Sequence, residues 1–164
     1  MTTTAPQHPP GPMAPDTLLD AVTFDSVVNT VLDSNPDMAA TMARRIVTEA
    51  LAFVATGATT PYHRGMAPSR TVDEGWHALL VHTEAYERLC QCLGRFVHHT
   101  PGWDPGLYDP DILNYTQGLI RAAGFEVDAE LWRAPDDSSL VSVAANCQHA
   151  PECTIRPMPK PEKP

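Results

Sequence analysis

The stretch that decides the fold runs from Thr71 to Gly94, TVDEGWHALLVHTEAYERLCQCLG. Val72, Trp76, Leu79, Thr83, Tyr86, Cys90 and Leu93 recur at three- and four-residue steps, which on an α-helix places them along one stripe. Thr71 and Glu74 form a T-x-x-E capping box: the threonine hydroxyl can accept the Glu74 N–H while the glutamate reaches back to the first residue. Gly94 supplies the stop. The spacing predicts one helix over 71–94. Along its edge, Asp73 and His77 stand one turn apart on the same face, roughly 40° around the axis from each other, with Glu84 in about the same direction.

Working outward, three more helices are expected. One is capped by Asp16 and runs to about residue 33, with Leu18, Leu19, Val22, Val27, Val28 and Val31 as its apolar face and a break near Thr23. The next starts after Asn35-Pro36, where proline suits the first helical position. It carries Met38, Met42, Ile46, Leu51 and Val54 and stops at Gly57. The last starts at Asp109-Pro110, carries Ile112, Leu113, Leu119 and Ile120, and stops at Gly124, after which Phe125, Val127, Leu131 and Trp132 return to cover the core. No alternating pattern is long enough to demand a sheet. The fold class is therefore all-α, a small bundle of about four helices.

The ends read differently. Residues 1–15 hold five prolines and no apolar period, as expected of a disordered arm. The helical domain is placed at 16–135, and 136–164 is read as a flexible tail rich in cysteine and proline, because repeated prolines forbid helix. A formal charge of -9 disfavours nucleic acid, whose nonspecific binding rests on neutralising phosphates with Lys and Arg, and an anionic membrane surface. There is no apolar run of membrane-spanning length and no basic n-region before an apolar stretch, so the expected location is cytoplasmic. In that compartment the four cysteines are read as thiols or metal ligands rather than disulfides.

The chemistry concentrates at the Asp73/His77 edge. Past Gly94 the run Arg95-Phe-Val-His98-His99-Thr-Pro101 can fold back over that face. Adjacent histidines in an extended stretch point to opposite sides, so one of His98 and His99 is expected to serve the site. Two imidazoles and a carboxylate suit a divalent transition metal such as Zn or Fe with open coordination positions. The candidate metal set is thus Asp73, His77, His98 and His99. A metal there requires the carboxylate and two ring nitrogens within about 4–5 Å of a common point, since ligand bonds run near 2.0–2.2 Å. The competing reading is structural: an aspartate in the first helical turn is stabilised by the macrodipole, and histidines beside a tryptophan or a proline can lock a core or a loop.

The run Val72-Asp73-Glu-Gly-Trp76-His77, then Thr83-x-x-Tyr86-x3-Cys90 and Gly94-Arg-Phe96-Val-His98-His99-Thr-Pro101, resembles the bacterial glycine-rich domain-containing protein-like family, related to the shared N-terminal domain of plant glycine-rich domain proteins. The likeness spans about Ser69 to Trp132, ending in Ala123-Gly124-Phe125 and Leu131-Trp132. The plant proteins' glycine-rich segment is absent. The resemblance marks Asp73, Trp76, His77, Thr83, Tyr86, Cys90, His98, His99 and Pro101 as signature positions and implies no particular reaction.

Near the end, Cys147-Gln-His149-Ala-Pro-Glu-Cys153 offers three of the four ligands of a tetrahedral zinc site, a weaker second candidate. The functional expectation is a metal- or small-ligand-binding helical protein whose partner is a small molecule or another protein. The alternatives are a noncatalytic interaction module, in which the same residues are structural, and a modified-peptide precursor with a C-terminal core segment.

Overall fold

A computed structural model describes residues 14–61, 65–100, 109–133 and 143. Five α-helices and two short 3-10 turns make up the described residues, with no strand among them: α1 Ala21–Ser34, α2 Ala40–Thr59, α3 Arg70–Val81, α4 Thr83–Leu93 and α5 Ile112–Ala122, preceded by the turn Pro15–Leu18 and followed by Ala129–Trp132. The all-α expectation holds. The proposed arm at 1–15 and the tail with Cys147, His149 and Cys153 lie almost wholly outside the described residues.

Helix α2 is the axis of the bundle. Every residue from Glu49 to Ala58 is buried, and α1, α3, α4 and α5 all pack on it. A helix apolar on all sides belongs inside, which is why Gly57 is a buried interior residue and the helix runs on to Thr59 rather than stopping there. Its start also differs: Pro36 precedes the helix in a turn, and the helical residues begin at Ala40. Helix α1 is capped by Asp20, whose carboxylate accepts the Thr23 N–H at 2.9 Å and the Thr23 hydroxyl at 2.6 Å. The expected cap Asp16 sits instead in the preceding 3-10 turn, and Thr23 lies within α1.

The predicted helix over 71–94 is two helices. It starts one residue early, at Arg70, because Ser69 is the cap: its Oγ accepts the Val72 N–H at 3.1 Å and donates to the Leu131 carbonyl. The capping box at Thr71 does not form. Thr71 lies inside α3, and the Glu74 carboxylate accepts from the Asn35 amide at 2.8 Å. The chain then breaks at His82 (φ -86°, ψ 61°), the residue shared by the end of α3 and the start of α4. In an unbroken helix Trp76 and Tyr86 would be separated by about 15 Å along the axis. With the break, the Trp76 indole N–H donates to the Tyr86 hydroxyl at 3.0 Å. Gly94 ends α4 as expected, at φ 86°, with the Arg95 N–H returned to the Cys90 carbonyl and the Gly94 N–H to that of Gln91, the Schellman pattern that left-handed glycine permits.

Helices α2 and α3 touch at Gly75, where a β-carbon would meet the Ile46 carbonyl oxygen at 2.8 Å and the Ala50 methyl at 2.9 Å. This close approach sets the height of α3 on the core. Leu131 and Trp132 are buried as expected, and polar clamps hold their turn down. Glu49 accepts the Trp132 indole N–H at 2.6 Å and the Asp128 N–H at 2.8 Å. Arg45 reaches Asp128 at 2.7 Å and Glu130 at 2.5 Å.

Candidate metal centre

Asp73 lies four residues past the Ser69 cap, and its side chain is only 1% exposed. Neither carboxylate oxygen has a hydrogen-bond partner. A buried carboxylate in that condition is costly unless a positive group compensates it, and the start of α3 supplies part of the compensation through the helix dipole. Two imidazole nitrogens face it: His99 Nε2 lies 3.5 Å from Oδ1, and His77 Nε2 lies 3.7 Å from Oδ2. Both distances are too long for good hydrogen bonds. The two Nε2 atoms are themselves 2.8 Å apart.

These spacings fit a shared ion. Donor atoms held at about 2.0–2.2 Å from one metal lie about 2.8–3.6 Å from each other at angles of about 90–110°. This covers the His77–His99 and His99–Asp73 spacings and falls just short of the His77–Asp73 one. One ligand atom from each of Asp73, His77 and His99 falls within 4.8 Å of the others, so this group could hold a metal ion. His77 comes from α3 one turn beyond Asp73, as the spacing required. His99 comes from the segment after α4, which folds back as expected. Its ring centroid sits 4.6 Å from that of Trp76 and 4.6 Å from that of His77. Exposure grades across the group: the His77 side chain is 32% exposed, His99 12% and Asp73 1%. Access is therefore from the His77 side.

His98 is not part of the group. It is exposed, and its ring packs on Phe96 at 4.7 Å between centroids. The alternation along Val97, His98 and His99 turns Val97 inward, His98 outward and His99 back toward the site, so the candidate set contracts from four residues to three. Glu84 is exposed on α4 and pairs with Arg88 at 3.8 Å, away from the group because of the break at His82.

Two supports were not legible from spacing. Asn35, at the end of α1, ties Glu74 on α3 to the Val31 carbonyl at 2.7 Å; nothing in the local sequence announces this pairing. Tyr86 donates to the Val97 carbonyl at 2.5 Å while accepting from Trp76, and the only hint was that Trp76 and Tyr86 share the resemblance's signature. Burial pushes the Cys90 thiol up beside them, which leaves it neutral and a poor ligand. Both described cysteines, Cys90 and Cys92, are free.

No curated protein matches the chain, and no solved structure does. The UCP032817-like family model matches residues 15–106, a span that contains α1 to α4 and all three donors. Because that span exceeds half of the chain, the protein belongs to the UCP032817-like family.

Proposed function

We propose that this protein binds a divalent transition metal, Zn or Fe, through Asp73, His77 and His99. The observation that carries the reading is the Asp73 carboxylate, fully buried with both oxygens lacking hydrogen bonds and directed at two imidazole nitrogens. Two neutral imidazoles and one carboxylate suit these ions and leave coordination positions open. A bound ion would act as a Lewis acid at those positions. The three protein groups would orient it and exclude water from the Asp73 side. We take the partner to be a small molecule that completes coordination from the His77 side. The resemblance to glycine-rich domain-containing protein-like sequences supports the same assignment, since Asp73, Trp76, His77, Tyr86 and His99 are signature positions there. Free Cys90 and Cys92 fit a reducing, cytoplasmic setting. Among the described residues no helix is long and apolar enough to cross a membrane.

One observation favours a second reading. The 2.8 Å separation of His77 and His99 also suits an N–H···N hydrogen bond, which would make the cluster a structural lock in a noncatalytic interaction module. Elemental analysis of protein purified without an affinity tag separates the two. A stoichiometric ion that is lost in His77→Ala and His99→Ala, with the helical circular dichroism retained, is the expected result. Ion-free wild type, together with unfolding of the variants, would establish the lock.

A further inference from the structure

Two of the three donors ride on α3, but His99 belongs to a segment without helical hydrogen bonds, so something else must fix its place. We infer that Tyr86 is the positioning residue that holds His99 at the Asp73/His77 pair, an inference that rests on the metal reading above. The Trp76 indole nitrogen can only donate and the Val97 carbonyl can only accept. The Tyr86 hydroxyl between them, at 3.0 Å and 2.5 Å, therefore accepts from Trp76 and donates to the Val97 carbonyl. This line of bonds ties α3 to the His99 segment two residues before the donor. Trp76 also places its ring 4.6 Å from that of His99, so the residue that anchors Tyr86 is also the wall against which the donor rests.

Other anchors hold the segment on either side of His99: the Val97 N–H also meets the Cys90 thiol, and Thr100 lies in an isolated β-bridge. The Tyr86 bond sets the lean of the segment between them. At its near end, Arg95 donates to the carbonyls of Gly57 and Thr60 at the end of α2, which fixes where the segment leaves α4 but not how far it leans toward α3. Val97 is fully buried while its neighbours Phe96 and His98 are exposed. The inward turn that sends His99 to the site is thus made at the residue Tyr86 holds. Tyr86 acts through Val97 and Trp76.

Tyr86→Phe keeps the ring and removes both hydrogen bonds, leaving the Trp76 N–H and the Val97 carbonyl unpaired in the core. Cobalt(II) titration of the full chain is the test. Loss of an outer support typically weakens metal affinity about 10–100-fold. Tyr86→Phe should fall in that range, with a cobalt absorption band moved toward that of His99→Ala. Val27→Ala, which truncates a fully buried residue of α1, should lower the melting temperature yet leave cobalt affinity unchanged. Wild-type affinity in Tyr86→Phe, or an equal loss in Val27→Ala at matched melting temperature, would overturn the inference. A second arm needs no metal: nitrogen-15 NMR of the metal-free imidazoles reads the 2.8 Å contact between His77 and His99. Its loss in Tyr86→Phe supports positioning, and its persistence overturns it. Wild type that fails to bind cobalt overturns the metal reading alone.

Discussion

The Nε2 atoms of His77 and His99 lie 2.8 Å apart across a sequence separation of 22 residues. Two imidazole lone pairs cannot approach so closely with nothing between them, so the pair requires a proton or a cation. The Asp73 carboxylate, 3.5 and 3.7 Å away, hydrogen-bonds to neither ring and is placed as a counter-ion for a cation held between them. A buried carboxylate without hydrogen bonds works against folding, and such local conflicts concentrate at functional sites.

The first prediction follows from the cost of that carboxylate. With no ion added, Asp73→Asn should be at least as stable as wild type, because it removes a buried carboxylate whose oxygens have no hydrogen bonds. Added zinc should stabilise wild type by about 2.7 kcal/mol at a hundred times its Kd and leave the variant unmoved. Thermal melts with and without zinc measure both. A variant much less stable than wild type in the metal-free state would show that Asp73 is structural.

The two adjacent histidines should separate cleanly. His98 packs against Phe96 at the surface with the rings tilted, so His98→Ala should bind cobalt as wild type does. His99→Ala removes a donor and should lose more affinity than the roughly 10–100-fold typical of an outer support. Equal effects of the two substitutions would mean that the segment after α4 turns the other way.

How much of this was legible in the sequence depends on the range of the interactions. The Asp73/His77 pair and the stop at Gly94 are local, set within one or two helical turns, and both stand. The opposite facing of His98 and His99 follows from extended geometry, although which of the two faced inward did not. What failed was decided at a distance. Thr71 with Glu74 is a sound capping box in isolation, but Glu74 is drawn off by Asn35 and the cap passes to Ser69, which also bonds Leu131 from 62 residues away. The apolar stripe from Val72 to Leu93 is continuous, yet the chain breaks at His82, whose Nε2 meets the Thr30 hydroxyl at 2.8 Å. Periodicity picks out the buried Val72, Trp76, Leu79, Tyr86 and Cys90, but it is silent on whether one helix or two will bury them. At the break it misplaces Thr83, which is exposed.

Gly75 yields a prediction whose sign propensity alone would get wrong. Alanine is favoured over glycine in a helix interior by about 0.8–1.0 kcal/mol. Here, however, its methyl would meet the Ile46 carbonyl oxygen at 2.8 Å, an atom of α2's own backbone that cannot rotate away. Overpacking of this kind costs about 1–3 kcal/mol, so Gly75→Ala should be net destabilising in urea unfolding. By pushing α3 off α2 it should also weaken metal binding. Ser69→Ala provides the comparison: loss of the cap costs about 1–2 kcal/mol without that steric push.

The last prediction concerns pH and lies outside the metal group. Burial pushes the Glu49 carboxyl above its ordinary value of 4.5, against the opposing hydrogen bonds from Trp132 and Asp128. The native state therefore holds the Glu49 proton more tightly than the unfolded chain does. The stability linked to that proton is complete below the unfolded value and is lost as pH rises through the higher folded one. Glu49→Gln does not titrate, so wild type should lose stability relative to the variant as pH is raised from below 4.5 toward neutrality. The variant carries a constant handicap, since one amide oxygen replaces two carboxylate acceptors for two donors, but that offset does not change with pH. Melting temperatures of both proteins across the range give the slope, and Trp132 fluorescence reports whether the turn at Ala129–Trp132 loosens with it. If wild type instead gains on the variant as pH rises, the two hydrogen bonds outweigh burial and Glu49 is held as a carboxylate.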